Sequence, residues 1–200
     1  MSAEGGAPPS RRTASAGARP GHIALVGLPG VGKSTIGDQL ARRLGLTLHD
    51  LDRVVERRIG MTIPACFAQQ GEAAFRAAES EALAALLDGP PAVIATGGGV
   101  ILAEQNRAAL QQRATTFYLY AMPENLAHRI RRDGSRPLMQ VDDPLARLRE
   151  LHAARDPLYR ASAHQVVVTV GRRRGEIVNA LLHGLDRQQA DASADPGSGA

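Results

Sequence analysis

The sequence predicts an α/β protein, a three-layer sandwich in which a five-stranded parallel sheet lies between two layers of helices. Short apolar runs alternate along the chain with segments of helical periodicity. The runs are near-continuous in their apolar character, which is typical of strands buried on both faces of a parallel sheet. The chain has 200 residues, 44% of them hydrophobic, which is enough for one domain with an ordinary core.

The predicted elements follow one another between residues 22 and 185. "HIALVG" is an apolar strand, and "STIGDQLARRLG" after it is a helix that ends at Gly45. A long Ala-rich helix ends before "DGPP", and a short helix precedes the fourth strand. The predicted strands cover residues 22–27, 46–50, 92–96, 115–121 and 164–170. The predicted helices of the first half cover residues 34–45, 52–59, 63–69 and 72–87.

Both ends of the chain differ from this pattern. Residues 1–21 are rich in Gly, Pro, Ala and Ser without an apolar period, and we expect a disordered extension. Transit peptides share its Arg and Ser content, but this segment is short and has no amphipathic face, and it lacks the apolar stretch of a secretion signal. Residues 186–200 are predicted to be a flexible tail, which leaves 22–185 as the domain.

The composition excludes several classes of protein. No apolar run approaches the roughly 18 residues of a membrane helix. The single cysteine, Cys66, excludes an internal disulfide and fits a reducing compartment, so a cytoplasmic location is predicted. The formal net charge is +4, but no aromatic residues interleave with the basic ones, and the one dense basic run is Arg172–Arg174. A small, strongly anionic ligand explains this charge better than nucleic acid does.

The segment "GLPGVGKST" fits the motif G-x-x-x-x-G-K-[ST] between the first strand and the first helix. Its glycines allow successive backbone N–H groups to point at a phosphate, and the helix adds the positive end of its dipole. Lys33, the only lysine of the chain, can reach the β- and γ-phosphates as a compact charge on a flexible stem. Ser34 offers a hydroxyl to Mg²⁺, and Thr35 can reach the α-phosphate. The motif predicts a bound nucleoside triphosphate, but switches, ATP-driven machines and kinases all share it.

Two acidic residues follow the second strand, at the edge of the sheet where ligands are expected. In "HDLD", Asp50 and Asp52 are two positions apart. One carboxylate could hold a metal-bound water while the other accepts a proton from an attacking hydroxyl. Alternatively, one of the two caps the helix that starts near residue 53.

Three glycines follow the third strand at the same edge. Because Gly97, Gly98 and Gly99 have no Cβ, their backbone N–H groups can approach a ligand closely, although a bare flexible turn has the same composition. Upstream, Arg76 and Glu79 are three residues apart on one helix face and can pair. The default interpretation of such a pair is a surface ion pair of little energy.

Arginines gather in the last third of the domain. "RRDGSRPL" carries Arg131, Arg132 and Arg136 in a polar segment with Gly and Pro. We expect a mobile lid, at about residues 131–142, that brings positive charge to a transferring phosphoryl group. Arg155 follows in "ARDPLY". A solvated basic surface explains these arginines equally well.

Taken together and in order, these motifs resemble those of the shikimate kinases. The resemblance covers residues 22–185 and rests on "GLPGVGKSTIG", "HDLD" with Val55–Glu56, "GEAAFR" with the Glu that follows it, "ATGGGV", "RDGSRPL" and "RDPLY". Each motif alone is modest, whereas six in the right order are specific. The resemblance implies a P-loop, nucleoside-monophosphate-kinase-like fold. It also implies transfer of the γ-phosphoryl group of ATP, with Mg²⁺, to the 3-hydroxyl of shikimate, a step towards aromatic amino acids.

The resemblance further implies roles on the nucleotide side of the site. The ATP phosphates are held by Gly30, Val31, Gly32, Lys33, Ser34 and Thr35. Ser34 binds Mg²⁺, which Asp50 supports through water. Arg136 reaches the phosphates from the lid, and Arg132 lies against the adenine.

On the acceptor side, the resemblance implies that Asp52 binds the shikimate hydroxyls and is the candidate base. Shikimate is also held by Arg76, Gly97, Gly98, Gly99 and Arg155. Arg76 and Arg155 bind its carboxylate, to which the arginine fork is well suited. Glu79 orients Arg76.

Some features depart from the family or leave alternatives. Leu51 lies between the two aspartates where a small hydroxyl residue is usual, and Met139 follows "RPL" where a second Leu is common. The nearest alternative is a kinase of another small hydroxylated acid, such as gluconate. A nucleotide-dependent switch is less well supported, because the guanine-reading motif N-K-x-D would need a second lysine. A monomer is predicted because no exposed apolar stripe stands out in the sequence.

Overall fold

A computed structural model of the protein describes residues 21–130 and 143–194. The predicted extension apart from Gly21, the lid with Arg131, Arg132 and Arg136, and the last six residues of the predicted tail lie outside the described residues.

The described chain contains the predicted five-stranded parallel sheet, with strand order β2-β3-β1-β4-β5. The strands are β1 (His22–Val26), β2 (Thr47–Asp50), β3 (Ala92–Ala95), β4 (Ala114–Tyr120) and β5 (Gln165–Val168). Each falls on one of the predicted apolar runs, to within one residue at β4. Every residue of β1 and β3 is buried, as expected for central strands covered on both faces.

The helices are α1 (Lys33–Leu44), α2 (Leu51–Ile59), α3 (Ile63–Leu87), α4 (Glu104–Arg113), α5 (Pro123–Ile130), α6 (Pro144–Ser162) and α7 (Arg174–Ala194), with a 3₁₀ turn at Val100–Leu102. Gly45 ends α1 in the left-handed conformation that glycine adopts without strain. Gly71, with φ 82° and ψ 172°, interrupts α3 and separates the two helical stretches predicted from the sequence. The predicted flexible tail starts too early, because α7 continues through residues 186–194.

The last strand differs from its prediction. β5 is an edge strand on which Val167 is buried while Val166 and Val168 are exposed, and Val170 beyond it is exposed as well. A run of valines therefore looks buried in the sequence although the valines on one of its faces are exposed. This apolar stripe also removes the reason for predicting a monomer, which was that no such stripe stands out.

The strand order brings three loops to one edge of the sheet. β2, β3 and β1 are neighbours, so the segments that follow Asp50, Ala95 and Val26 emerge side by side at the carboxyl ends of parallel strands. Ligand sites of open α/β sheets lie at this edge. No helix in residues 21–130 or 143–194 is long and apolar enough to cross a membrane.

Candidate active site

The loop between β1 and α1 is a backbone cradle. Gly27, Gly30 and Gly32 all have positive φ, and a Cβ on Gly27 would lie 2.5 Å from the carbonyl oxygen of Leu119. Only glycine fits that approach and those dihedrals. Gly32 precedes α1 without a side-chain cap among the described residues, which leaves the first amide groups of the helix available to an anion.

Lys33 lies inside this cradle. Its side chain is 6% exposed, and Nζ donates hydrogen bonds to the carbonyl oxygens of Gly27 at 2.7 Å and Leu28 at 3.1 Å. An ammonium group so deeply buried needs such acceptors. The bonds hold the positive charge where the loop amides converge. Val31 is buried in the core, so only its backbone can serve a ligand, and Thr35 is exposed in the first turn of α1.

Asp50 joins the end of β2 to this cradle. Its Oδ2 accepts a hydrogen bond from Ser34 Oγ at 2.5 Å, and its Oδ1 accepts one from the backbone N–H of Arg53 at 3.4 Å. Asp50 therefore caps α2, as one interpretation of the sequence predicted, and it also contacts the phosphate loop, while its role at a metal stays a prediction. A hydroxyl and a carboxylate in contact beside a phosphate cradle are oxygen donors of the kind that Mg²⁺ takes from P-loops, together with phosphates and water.

The side chains of Leu51 and Asp52 lie in different environments. Leu51 is fully buried in the hydrophobic core, so its replacement of a small hydroxyl residue does not alter the surface of the site. Asp52 lies in the first turn of α2, and its Oδ1 occupies the space that a Cβ on Gly97 would need.

Arg76 and Glu79 form a buried pair, and the default interpretation as a surface ion pair is wrong. Arg76 Nη1 donates to Glu79 Oε2 at 2.7 Å, and the carboxylate of Glu79 is 1% exposed. The guanidinium also donates to Glu72 Oε1, through Nη2 at 3.0 Å. Burial raises the pKa of Glu79, an effect that Arg76 offsets only in part. Burial alone would lower the pKa of Arg76, but the charges and hydrogen bonds of its two acidic partners raise it.

The three glycines after β3 make room for these side chains. A Cβ on Gly97 would lie 2.6 Å from Asp52 Oδ1 and 2.7 Å from Glu79 Oε1, and a Cβ on Gly99 would overlap the guanidinium of Arg76. None of the three has positive φ, so close approach, not backbone conformation, requires glycine there. The missing Cβ atoms of Gly97 and Gly99 leave room for the protein's own charged groups, and the close approach of this loop to a ligand stays a prediction.

Two side chains of helix α6 donate hydrogen bonds to the glycine loop, residues 97–99. Arg155 Nη1 donates to the carbonyl oxygen of Gly98 at 3.1 Å, and the hydroxyl of Tyr159 donates to the same oxygen at 2.5 Å. Arg155 is 6% exposed, so the interpretation as part of a solvated basic surface is wrong for this residue. Tyr159 was not predicted as a site residue from the sequence, although it is four residues after Arg155 on the same helix face, within "RDPLY".

The phosphate cradle and the glycine loop lie next to one another. A Cβ on Gly98 would lie 3.2 Å from Cδ of Pro29, which belongs to the cradle. The described site residues thus gather at one edge of the sheet, with the cradle on one side and two arginines and two carboxylates on the other. Arg132 and Arg136 lie outside the described residues.

Comparisons with known proteins agree with this arrangement. The family model described as shikimate kinase matches residues 29–186. A shikimate kinase of Paracidovorax citrulli is 49% identical over 178 residues, which cover 88% of this chain and 96% of that protein. The shikimate kinase of Neisseria gonorrhoeae is 46% identical, over 84% of this chain and 97% of that protein.

The chain belongs to the shikimate kinase family. The solved structure of the Acinetobacter baumannii shikimate kinase in complex with shikimate superposes with a TM-score of 0.82 at 40% identity, over 84% of this chain and 94% of that one. Membership confirms the predicted family, its P-loop fold and its activity, the ATP-dependent phosphorylation of shikimate. A gluconokinase from Sinorhizobium meliloti is also similar, with a TM-score of 0.55 over 90% of this chain and 99% of that one, but at 18% identity it shows the fold alone. The gluconate alternative is therefore not favoured.

Proposed function

We propose that the site transfers the γ-phosphoryl group of ATP directly to the 3-hydroxyl of shikimate, without a covalent enzyme intermediate. The proximity of the phosphate cradle to the glycine loop supports this most strongly. The cradle that we assign to the triphosphate lies next to the loop that Asp52, Arg76 and Arg155 approach, an arrangement suited to transfer between two bound substrates.

On the nucleotide side, the cradle residues from Gly30 to Thr35 would hold the phosphates through backbone N–H groups. Lys33 would place its charge on the transferring group. Ser34 would bind Mg²⁺ directly and Asp50 would do so through water, and the ion would supply positive charge that neutralises the phosphates. In the lid, we propose that Arg136 contacts the phosphates and that Arg132 lies against the adenine.

On the acceptor side, we assign the shikimate carboxylate to Arg76 and Arg155, whose planar guanidinium groups suit two-point contact. The backbone of Gly97, Gly98 and Gly99 would line the pocket. Asp52 would orient the 3-hydroxyl and accept its proton as the new oxygen–phosphorus bond forms. The bond from the γ-phosphorus to the bridging oxygen breaks at the same time, and ADP leaves.

The charges of the site are suited to such substrates. Two arginines and one lysine lie at the described site, all more than four-fifths buried, where their fields are weakly screened. The phosphates of Mg-ATP and the carboxylate of shikimate would pair with these cations, and Lys33 would stabilise the charge on the equatorial oxygens during transfer. The single free cysteine, Cys66, is buried and has no role in this transfer. We also propose that the enzyme works in the cytoplasm.

A coupled ADP-release assay with Mg-ATP tests the proposal. The acceptors are shikimate, gluconate, a nucleoside monophosphate and none. We expect ADP formation with shikimate alone. Release without an acceptor would indicate a hydrolase or switch, and turnover of another acceptor would require new roles for Asp52, Arg76 and Arg155.

A further inference from the structure

We propose that Tyr159 is a positioning residue for the acceptor site, which holds the peptide group between Gly98 and Gly99 in the orientation that shikimate needs. The proposal rests on the function proposed above for this site. It assigns to Tyr159 no contact with substrate, but a role through the glycine loop and Arg155.

The carbonyl oxygen of Gly98 accepts two hydrogen bonds, one from the hydroxyl of Tyr159 and one from Nη1 of Arg155. Both donors come from α6 and both are buried, Tyr159 completely. A carbonyl oxygen has two lone pairs, so these donors satisfy it fully. The peptide unit is planar, so fixing this oxygen also fixes the N–H of Gly99, which points the opposite way.

Three consecutive glycines need such external restraint. Each of Gly97, Gly98 and Gly99 has more conformational freedom than any other residue type, and the loop has no side chains of its own with which to pack. Its shape depends on groups from outside. The hydroxyl of Tyr159 is one of the two side-chain donors described above that bind the central carbonyl of this loop, that of Gly98.

The ring of Tyr159 is itself held by neighbours on β4 and α6. It stacks on Tyr118 with ring centroids 4.9 Å apart and an interplanar angle of 28°. The hydroxyl of Tyr118 donates to Asp156 Oδ1 at 2.9 Å, and Asp156 Oδ2 accepts from Arg160 Nε at 2.7 Å. A donor with so little freedom fixes its acceptor closely, since little entropy remains to be lost on forming the bond.

The role of Tyr159 extends to Arg155 because the two donors share one acceptor. With the hydroxyl in place, Arg155 donates one of its five N–H groups to Gly98 and can donate others to a carboxylate. Without the hydroxyl, the glycine loop could turn and the guanidinium could follow it. The effect should fall on shikimate more than on ATP, because the hydrogen bonds that Tyr159 and Arg155 donate to Gly98 act on the glycine loop.

Tyr159→Phe tests this, because it removes the hydroxyl and keeps the stacked ring. We expect the shikimate KM to rise about five- to ten-fold, the size expected for one buried hydrogen bond, with the ATP KM changed less than about two-fold. The matched control is Tyr120→Phe, which removes a hydroxyl that donates to Met122 Sδ away from the glycine loop. The control should leave both KM values unchanged.

Amide NMR of the ligand-free protein adds a measurement that does not depend on activity. The Gly99 nitrogen belongs to the peptide group whose carbonyl accepts the two bonds, so Tyr159→Phe should shift its resonance while Tyr120→Phe should not. An unmoved Gly99 resonance would overturn the proposal. So would a folded Tyr159→Phe variant with an unchanged shikimate KM, including one that has only a lower Tm. Absence of shikimate-dependent turnover in the wild type would instead reject the proposed function, while the Gly99 resonance would still test the positioning.

Discussion

Asp52 and Glu79 meet at Gly97: a Cβ on this glycine would lie 2.6 Å from Oδ1 of the first and 2.7 Å from Oε1 of the second. Two carboxylates from different helices thus share the space beside one backbone atom. The groups that a side chain at residue 97 would displace are the ends of flexible side chains, not backbone. A substitution there should therefore disturb the site more than it disturbs the fold.

Gly97→Ala should lower kcat by roughly 100-fold, because a shift of about 1 Å in the candidate base is enough for a loss of that size. The Tm should fall by only a few degrees. Gly21→Ala is the control, since a Cβ there meets nothing within 4 Å. Steady-state kinetics and thermal unfolding of the two variants check this, and a Gly97→Ala enzyme of wild-type kcat would contradict the placement of Asp52.

Gly99→Ala should act on binding instead of turnover. The added methyl group would overlap the guanidinium of Arg76 and move it away from the pocket. We expect the shikimate KM to rise by at least about ten-fold, as loss of a charge-assisted contact implies, and the ATP KM to stay within two-fold. Arg76→Ala and Arg155→Ala should show the same pattern. A rise in the ATP KM alone would place Arg76 on the nucleotide side.

Glu79 should make the stability of the protein depend on pH. Its pKa is raised in the folded state by burial, so its contribution to folding is fully present below its ordinary pKa and is lost as the pH rises through the raised value. The free energy of unfolding of the wild type minus that of Glu79→Gln should therefore fall as the pH rises from about 4.5. Urea unfolding at a series of pH values measures this difference. A difference that is constant or rises with pH would show that Arg76 compensates the buried charge fully.

Lys33→Ala should reduce kcat by at least about 100-fold, because it removes the charge placed on the transferring phosphoryl group. The two hydrogen bonds to Gly27 and Leu28 are lost as well, so the Tm should fall while the fold survives. Arg42→Ala, which removes an exposed cation paired with Asp38 on the same helix, should affect neither quantity appreciably. Comparable turnover in the Lys33 and Arg42 variants would refute the role of Lys33.

The sheet, the phosphate cradle and the order of the elements were predictable because each depends on local signals. Apolar runs gave the strands, and the spacing of Gly27, Gly32 and Lys33 located the cradle between a strand and a helix. The exposed face of β5 was not predictable. An edge strand with valines on its exposed face has the same apolar sequence as a central strand that is buried on both faces. Burial of Glu79 and Arg155 was not predictable either, because it depends on contacts between α3, α6 and the glycine loop that no local pattern contains.

The groups that approach the three glycines could not be predicted from the sequence. Their sequence position indicated a close approach, but whether a ligand or a side chain makes it depends on where α2 and α3 place Asp52 and Arg76. Tyr159 was not predicted because a tyrosine in a helix is usually interpreted as a residue of the hydrophobic core. Its spacing from Arg155 was the available signal.

The most direct test of the account is the position of the phosphate on the product, measured by ³¹P NMR with Mg-ATP and shikimate for the wild type and for Asp52→Asn. The account predicts a single phosphomonoester at the 3-hydroxyl, formed in equal amount with ADP by the wild type, and almost none from an Asp52→Asn variant that still binds ATP. Phosphate at another hydroxyl, or undiminished product from Asp52→Asn, would contradict it.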